Sequence, residues 1–302
     1  GDQVRYGTRH LNLGLNNINV GSPEALAAAA AGNRLPSGMT LTQQVLDRLL
    51  RGDTQFGAPA LETLQLSARD GFNFYGSATL DTYDPLTGKS LLSNLMLSTP
   101  AIYGSGGLND VATIHTANLI WQGAVAPPVA AVTGGAGSGS GRLDINAERI
   151  EFGYGDFAQP STTKTFDRLA LGFANVNLNA SQRITANHKG SLAVYQSQGA
   201  FDPLSGFAYS GGNLNILTPL MTSTAGLIFA IGVLAAGGAG MAGPAPSFST
   251  THATMNPLLH RLPVGQFRGA EIARAAQRHV QPPCQLPHCQ RPYRRFRGAK
   301  CR

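Results

Sequence analysis

Short alternating apolar segments recur along the first 225 residues of the chain. Each places two aliphatic side chains at positions i and i+2, in all but one case around a polar or small residue, a pattern typical of strands with one buried face. The segments are 64–66, 95–97, 112–114, 143–145, 169–171, 192–194 and 214–216. A second segment often follows, as at 72–74, 119–121, 150–152 and 176–178. The pattern predicts many short strands whose aliphatic pairs share one interior.

The spacing of these segments favours stacked coils over a sandwich. Their first residues lie 17 to 31 residues apart, whereas a sandwich usually has a strand every 8–12 residues or so. Two-residue hairpin signals are scarce, and Asp70-Gly71 lies inside a repeat. We therefore expect coils of about two dozen residues, each with two or three strands, stacked into a parallel β-helix over 61–225. The longer spacings predict loops that leave the stack, such as 126–141.

Stacking is favoured because one coil has too little apolar surface to fold alone. Burial of apolar surface stabilises by roughly 25 cal/mol per Å². Each stacked strand also gains a neighbour on both sides, which satisfies its backbone groups.

Two helices are predicted near the N-terminus, within an entry segment over 1–60. Ser22 and Pro23 suit the N-cap and first position of a helix over about 22–32. A second helix over about 42–51 has an apolar face and ends before Gly52, which suits a C-cap. We expect the pair to form an insertion packed against the β-helix.

The composition changes sharply after residue 225. Residues 1–225 carry 13 Lys and Arg against 15 Asp and Glu, whereas 226–302 carry 10 against one. All three cysteines lie in the second part. We predict that 226–302 is a tail that is disordered or translated out of frame. The alternative is a membrane span over 226–243, a run short of the roughly 20 apolar residues that a spanning helix needs.

Several runs resemble the C-terminal region of the filamentous haemagglutinin family. They are residues 49–53 (LLRGD), 60–71 (ALETLQLSARDG), 74–77 (FYGS), 100–104 (PAIYG) and 211–220 (GGNLNILTPL). As an ordered set they extend the resemblance over roughly residues 5–225. The start at Gly1, without a basic and then apolar leader, predicts a cut inside a longer polypeptide.

The resemblance implies a right-handed parallel β-helix within a large two-partner-secretion exoprotein. Such proteins cross the outer membrane through a partner transporter and serve adhesion or aggregation at the cell surface. The implied partners are that transporter and a receptor or glycan on a host or bacterial surface, with no nucleic acid and no specific small molecule. The alternatives are the stalk of a contact-dependent toxin and a carbohydrate-active β-helix enzyme.

The tripeptide Arg51-Gly52-Asp53 matches the integrin-binding sequence and is the candidate receptor site. The competing interpretation is structural: Arg51 meets the negative end of a helix, Gly52 caps it and Asp53 begins a loop.

Other candidate sites are weaker, and we expect no enzyme activity, cofactor or metal. The acids Asp81, Asp84, Asp144, Glu148 and Glu151 could line a lyase groove, but they are scattered, and we expect Arg142 and Arg149 to pair with them. The run 134–141 (GGAGSGSG) predicts a flexible loop. His10, His115 and His188 have no companions at ligand spacing, and Cys284, His288, Cys289 and Cys301 fit no standard zinc site.

Overall fold

The computed structural model describes residues 8–52, 57–155 and 164–223, together with the backbone of 229–232, 247–251, 254–255 and 267–268. Strands dominate these residues and two helices lie among them. One large sheet holds 17 strands, nearly all of them parallel, and two small antiparallel hairpins stand apart.

The helices are α1 (Pro23–Ala31) and α2 (Gln43–Arg51). The strands through the middle of the chain are β1 (His10–Gly21), β2 (Met39–Leu41), β3 (Thr63–Tyr75), β4 (Ala78–Asp81), β5 (Tyr83–Asp84), β6 (Lys89–Ser90), β7 (Asn94–Ser98), β8 (Ala101–Gly104), β9 (Val111–Trp121) and β10 (Gly141–Phe152). The later strands are β11 (Phe166–Leu171), β12 (Phe173–Ala186), β13 (Gly190–Tyr195), β14 (Ser197–Asp202), β15 (Gly206–Ser210), β16 (Asn213–Leu217), β17 (Leu220–Ser223), β18 (Phe229–Gly232), β19 (Ser247–Thr251), β20 (Thr254–Met255) and β21 (Phe267–Arg268).

The parallel pairings fall into three ladders, which we call the first, second and third faces. The first face aligns Leu11, Leu64, Leu95, Leu119, Ile150, Ile184 and Met221. The second face aligns Ile18, Phe72, Ile102, Ala170 and Val194. The third face aligns Leu80, Ile114, Ile145, Leu178 and Ile216. This arrangement is consistent with an all-β parallel β-helix.

The coils are longer than the sequence spacing suggested. From Leu64 to Met221, first-face partners follow one another after 24 to 37 residues. The prediction of about two dozen residues per coil was wrong. It measured the distance from one strand to the next in sequence, although those strands belong to different faces of the coils. Leu64 starts a first-face strand, Leu143 a third-face strand and Leu192 a second-face strand.

The predicted aliphatic pairs form the core. Every predicted pair between residues 64 and 216 is buried, and all of them belong to one hydrophobic cluster. Leu64, Ile114 and Leu178 have no exposed surface at all. The expectation of a shared interior is therefore confirmed.

Both predicted helices are present. The hydroxyl of Ser22 accepts a 3.2 Å hydrogen bond from the Ala25 amide, and that of Thr42 accepts one of 3.3 Å from Val45. The Gln43 amide donates to the Asp81 carbonyl and accepts from the Asp81 N–H, both over 2.8 Å. Since β4 is the first third-face strand, α2 covers an edge that could otherwise pair with another chain.

The loop predicted at 126–141 leaves the stack on the second face. It replaces a strand there, so that β8 pairs directly with β11. The N–H groups of Gly137 and Gly139 donate to the Gly104 carbonyl over 2.9 and 3.0 Å, which ties the end of the loop down. A Cβ at Gly172 would lie 2.3 Å from the Gly104 carbonyl oxygen, and its φ is +90°, so only glycine fits where the loop re-enters.

The described backbone beyond residue 223 continues the ladders. β18 is parallel to β13, β19 to β16 and β20 to β17, while β21 is antiparallel to β19. The rest of the predicted tail 226–302, including Cys284, Cys289 and Cys301, lies outside the described residues. The interpretation of this segment as disordered or out of frame therefore stays a prediction. Within the described part of the chain, neither helix is long and apolar enough to cross a membrane.

Candidate functional site

A groove of about 950 Å³ runs across the end of the third face. Its floor carries the last outward residue of successive strands, in the order His115, Asn146, Asn179 and Leu217. Because these residues are register partners from one coil to the next, the groove follows the stacking direction and crosses the strands.

Small side chains at one corner of the coils line one side of the groove. The corner residue is Thr82 and then Thr116 in two successive coils, and their hydroxyls bond over 2.9 Å. The next two coils have Ala147 and Ala180 at the equivalent corner, and Thr218 follows. Both alanines line the groove.

Tyr83 closes one end of the groove. It lies on the β5–β6 hairpin and stacks on His115 with ring centroids 4.3 Å apart and an interplanar angle of 8°. His115 Nδ1 lies 3.0 Å from Asp81 Oδ1, and the Tyr83 hydroxyl donates to Glu148 Oε1 over 3.4 Å. Partial burial raises the pKa of Tyr83, and the Glu148 carboxylate raises it further. The ring is thus held from two neighbouring coils.

The groove offers amide groups with spare hydrogen-bonding capacity. Asn179 Nδ2 donates to Asn146 Oδ1 over 2.8 Å. Within the described part of the chain, the structure shows no protein partner for Asn146 Nδ2 or Asn179 Oδ1. A donor and an acceptor therefore face the groove on adjacent coils.

The charges around the groove are acidic. Glu148 Oε2 accepts from Gln182 Nε2 over 2.8 Å, and Gln182 Oε1 accepts from Arg149 Nε over 2.8 Å. Arg149 thus reaches an acid through Gln182, whereas Arg142 pairs with Asp144 directly over 2.9 Å, as predicted. No lysine or arginine lines the groove in the described residues.

No family model, curated protein or solved structure matches the chain. The likeness to filamentous haemagglutinins therefore stays an inference from the runs of residues that carry it.

The five acids considered for a lyase groove do not converge. Asp81 and Glu148 flank the groove, Asp84 lies in the β5–β6 turn, and Asp144 belongs to a neighbouring row of amides. Glu151 accepts hydrogen bonds from Asn187 and from the Gly155 N–H. Among the described residues, no group of three or more His, Cys, Asp and Glu could hold a metal ion.

The structure places two residues of the candidate receptor tripeptide. Arg51 is the last residue of α2 and is exposed, and Gly52 has φ +58° and ψ −157°. Both fit the structural interpretation, in which a cation meets the end of the helix and a glycine adopts a backbone that other residues avoid. Asp53 lies outside the described residues.

Arg168 and His188 form a buried cluster with aromatic rings. Arg168 is 1% exposed and donates hydrogen bonds of 2.7 to 2.8 Å to the carbonyls of Trp121, Gln122 and Phe166. Burial lowers its pKa to about 9. His188 packs edge-on against the rings of Tyr154 and Phe166. The cluster joins three coils, and we assign it a structural role.

The hydrophobic pattern does not predict that Tyr83 contributes to a site. The sequence does contain a local indication of the hairpin that carries Tyr83. Residues Asp84-Pro85-Leu86-Thr87-Gly88 recur in similar form as Asp202-Pro203-Leu204-Ser205-Gly206. In both copies the aspartate accepts from the N–H of the leucine, over 2.9 and 2.8 Å. This Asp-Pro turn closes both hairpins and leaves Leu86 and Leu204 93% and 98% exposed.

Proposed function

We propose that the chain is a segment of a secreted surface adhesin, built as a right-handed parallel β-helix that holds binding surfaces away from the cell. The observation that carries the proposal is the single hydrophobic cluster that passes through successive coils from Ile18 to Ile216. A core shared by consecutive coils makes a stiff, elongated body, because each coil is stabilised by its neighbours.

The outward residues suit repeated contact with a surface. Polar side chains alternate with the buried ones on the third face, as Asp144 does between Leu143 and Ile145, and the two hairpin tips project Leu86 and Leu204. Many weak contacts along one rigid body produce strong attachment through multivalency. A single deep pocket is not needed for such a role.

The resemblance supports secretion through an outer-membrane partner transporter and a location at the cell surface. The absence of cysteine from residues 1–225 suits that route, because no disulfide can lock the chain before export.

Attachment by coated beads tests the proposal. Beads carrying the full chain at graded density are applied to epithelial cells and to bacterial lawns, and retention under flow is counted. We expect retention to rise more steeply than density, as multivalent contact requires. Retention that never exceeds that of beads carrying heat-unfolded chain would contradict the proposal.

A matched pair of variants controls for folding. Ile114→Lys places a charge in the core, whereas Thr113→Lys places the same charge on the outward side of the same strand, opposite Asp144. We expect the first to abolish retention and the second to preserve it.

A further inference from the structure

We infer that the groove between Tyr83 and Pro219 binds an uncharged glycan chain lying along the stacking direction. This inference rests on the proposed adhesive function and names the chemistry of one contact surface. Its lining brings together the Tyr83 ring, the Asn146 and Asn179 amides and the Ser181 hydroxyl.

The length of the floor fits a chain of sugars. From His115 to Leu217 it crosses three steps between neighbouring strands, or roughly 15 Å at the usual strand spacing. The two middle positions, Asn146 and Asn179, carry the same side chain, so the site repeats once along the groove. A ligand with a repeating unit can therefore satisfy successive coils in the same way.

The lining matches the two-sided character of a pyranose ring, which has an apolar C–H face and a rim of hydroxyls. Leu217, Pro219 and the Tyr83 ring supply apolar surface. Asn146 Nδ2 and Asn179 Oδ1 supply a free donor and a free acceptor within the described structure, and the exposed Ser181 hydroxyl lies beside them. Hydroxyl groups can pair with both kinds of amide atom.

The charges select against acidic glycans. Glu148 lies in the lining, and Asp81 lies beside it against His115. Because the described lining holds no lysine or arginine, the negative charge of a uronate or sulfate would meet these carboxylates without a lysine or arginine to balance it.

The direction of the groove disfavours an extended peptide. Peptides that join a sheet bond to free backbone groups at an edge strand. Here the floor strands β9, β10, β12 and β16 are each paired with a neighbouring coil on both sides. Recognition must therefore come from side chains, as it does for sugars.

Glycan binding by the full chain tests the inference. An array of immobilised neutral, uronate-containing and sulfated glycans is probed first, and the neutral glycan that binds best is then titrated as a free hexasaccharide. We expect neutral glycans to bind and acidic ones to be rejected. No binding of any neutral glycan, or stronger binding of acidic glycans, would overturn the inference.

Two matched double variants locate the site. Asn146→Ala with Asn179→Ala removes the amides that face the groove. Asn177→Ala with Asn215→Ala removes a similar pair of hydrogen-bonded amides that do not line it. We expect the first to weaken binding of the free hexasaccharide at least tenfold. The second should leave binding within twofold although it unfolds at the lower temperature, because it removes the hydrogen bonds from Asn177 to Asp144 and from Asn215 to Asn177, whereas the first removes the one between Asn179 and Asn146. Equal losses would place binding elsewhere and overturn the assignment.

The bead assay separates this inference from the proposed function. If beads attach although no neutral glycan binds the free chain, the adhesive function stands and the inference fails. If the hexasaccharide binds but beads never attach, the inference stands and the adhesive function fails.

Discussion

Asn177 donates a 2.6 Å hydrogen bond to Asp144 across one full coil of the chain. The same row continues, because Asn215 Nδ2 donates to Asn177 Oδ1 over 2.8 Å. Arg142 donates to the other carboxylate oxygen of Asp144 and balances its charge at the end of the row. Polar side chains thus link consecutive coils on the outside, as aliphatic side chains do within the core.

We predict that Asn177→Ala lowers the free energy of unfolding by about 1–2 kcal/mol, because it removes a partner from both Asp144 and Asn215. Urea denaturation followed by circular dichroism measures the change. Asn109→Ala, at an exposed loop position, is the control and should stay within about 0.5 kcal/mol of the parent. Equal effects of the two variants would show that the row of amides contributes nothing to stability.

Arg168→Met should be far more damaging than a substitution of a surface arginine. It removes the guanidinium donor from the carbonyls of Trp121, Gln122 and Phe166, and the Trp121 carbonyl keeps a 3.3 Å bond from the Gly153 N–H. We expect a cost of about 3 kcal/mol or more. Arg142→Met, at an exposed site, should change stability by about 0.5 kcal/mol or less. The midpoints of urea unfolding decide the question, and a midpoint for Arg168→Met equal to that of the parent would refute the structural role.

The chain should lose stability as the pH rises from 10 to 12. Burial raises the pKa of Tyr75, Tyr154 and Tyr195 from 10 to about 12. Between these values the unfolded chain releases protons that the folded chain retains, so each tyrosine costs up to roughly 1.4 kcal/mol per pH unit. Arg168 raises stability with pH above its pKa of about 9, because there the unfolded chain keeps a proton that the folded chain has released. It is one group set against three tyrosines.

Thermal unfolding at successive pH values measures this loss. We expect the melting temperature to fall above pH 10, and to fall less steeply in Tyr154→Phe, which removes one of the titrating hydroxyls. A melting temperature that stays constant to pH 12 would contradict the burial of these rings.

Gly52→Ala should destabilise the chain by about 1–3 kcal/mol, since the φ of +58° with ψ −157° lies in a region open essentially to glycine alone. Asp53→Glu keeps the charge but breaks the receptor tripeptide. If the tripeptide serves only the helix end, Asp53→Glu leaves bead retention on epithelial cells unchanged. Loss of retention in a variant as stable as the parent would instead support the receptor interpretation.

The core could be predicted from the sequence because it depends on local alternation. The spacing of Leu143 and Ile145 alone predicts that both face inward, and both are fully buried. The prediction of the two helices also depends on nearby residues, since Ser22 and Thr42 are the N-caps of their first turns.

The assignment of strands to faces could not be predicted, because it depends on distant partners. Leu95 pairs with Leu64 on one side and with Leu119 on the other, and nothing beside it in the sequence identifies either. The groove was missed for the same reason. Tyr83 and Glu148 are 65 residues apart and meet only after two coils have been stacked.

Disulfide trapping tests the winding of the chain most directly. Thr79 and Thr113 are register partners on adjacent third-face strands, at a separation that a disulfide can span. In a background with Cys284, Cys289 and Cys301 replaced by serine, we expect Thr79→Cys with Thr113→Cys to oxidise rapidly to an intramolecular disulfide, measured by the mass of the linked peptides. Thr113→Cys with Thr222→Cys, on different faces, should stay reduced. Linkage of the second pair in preference to the first would contradict the stacking of the chain in successive coils.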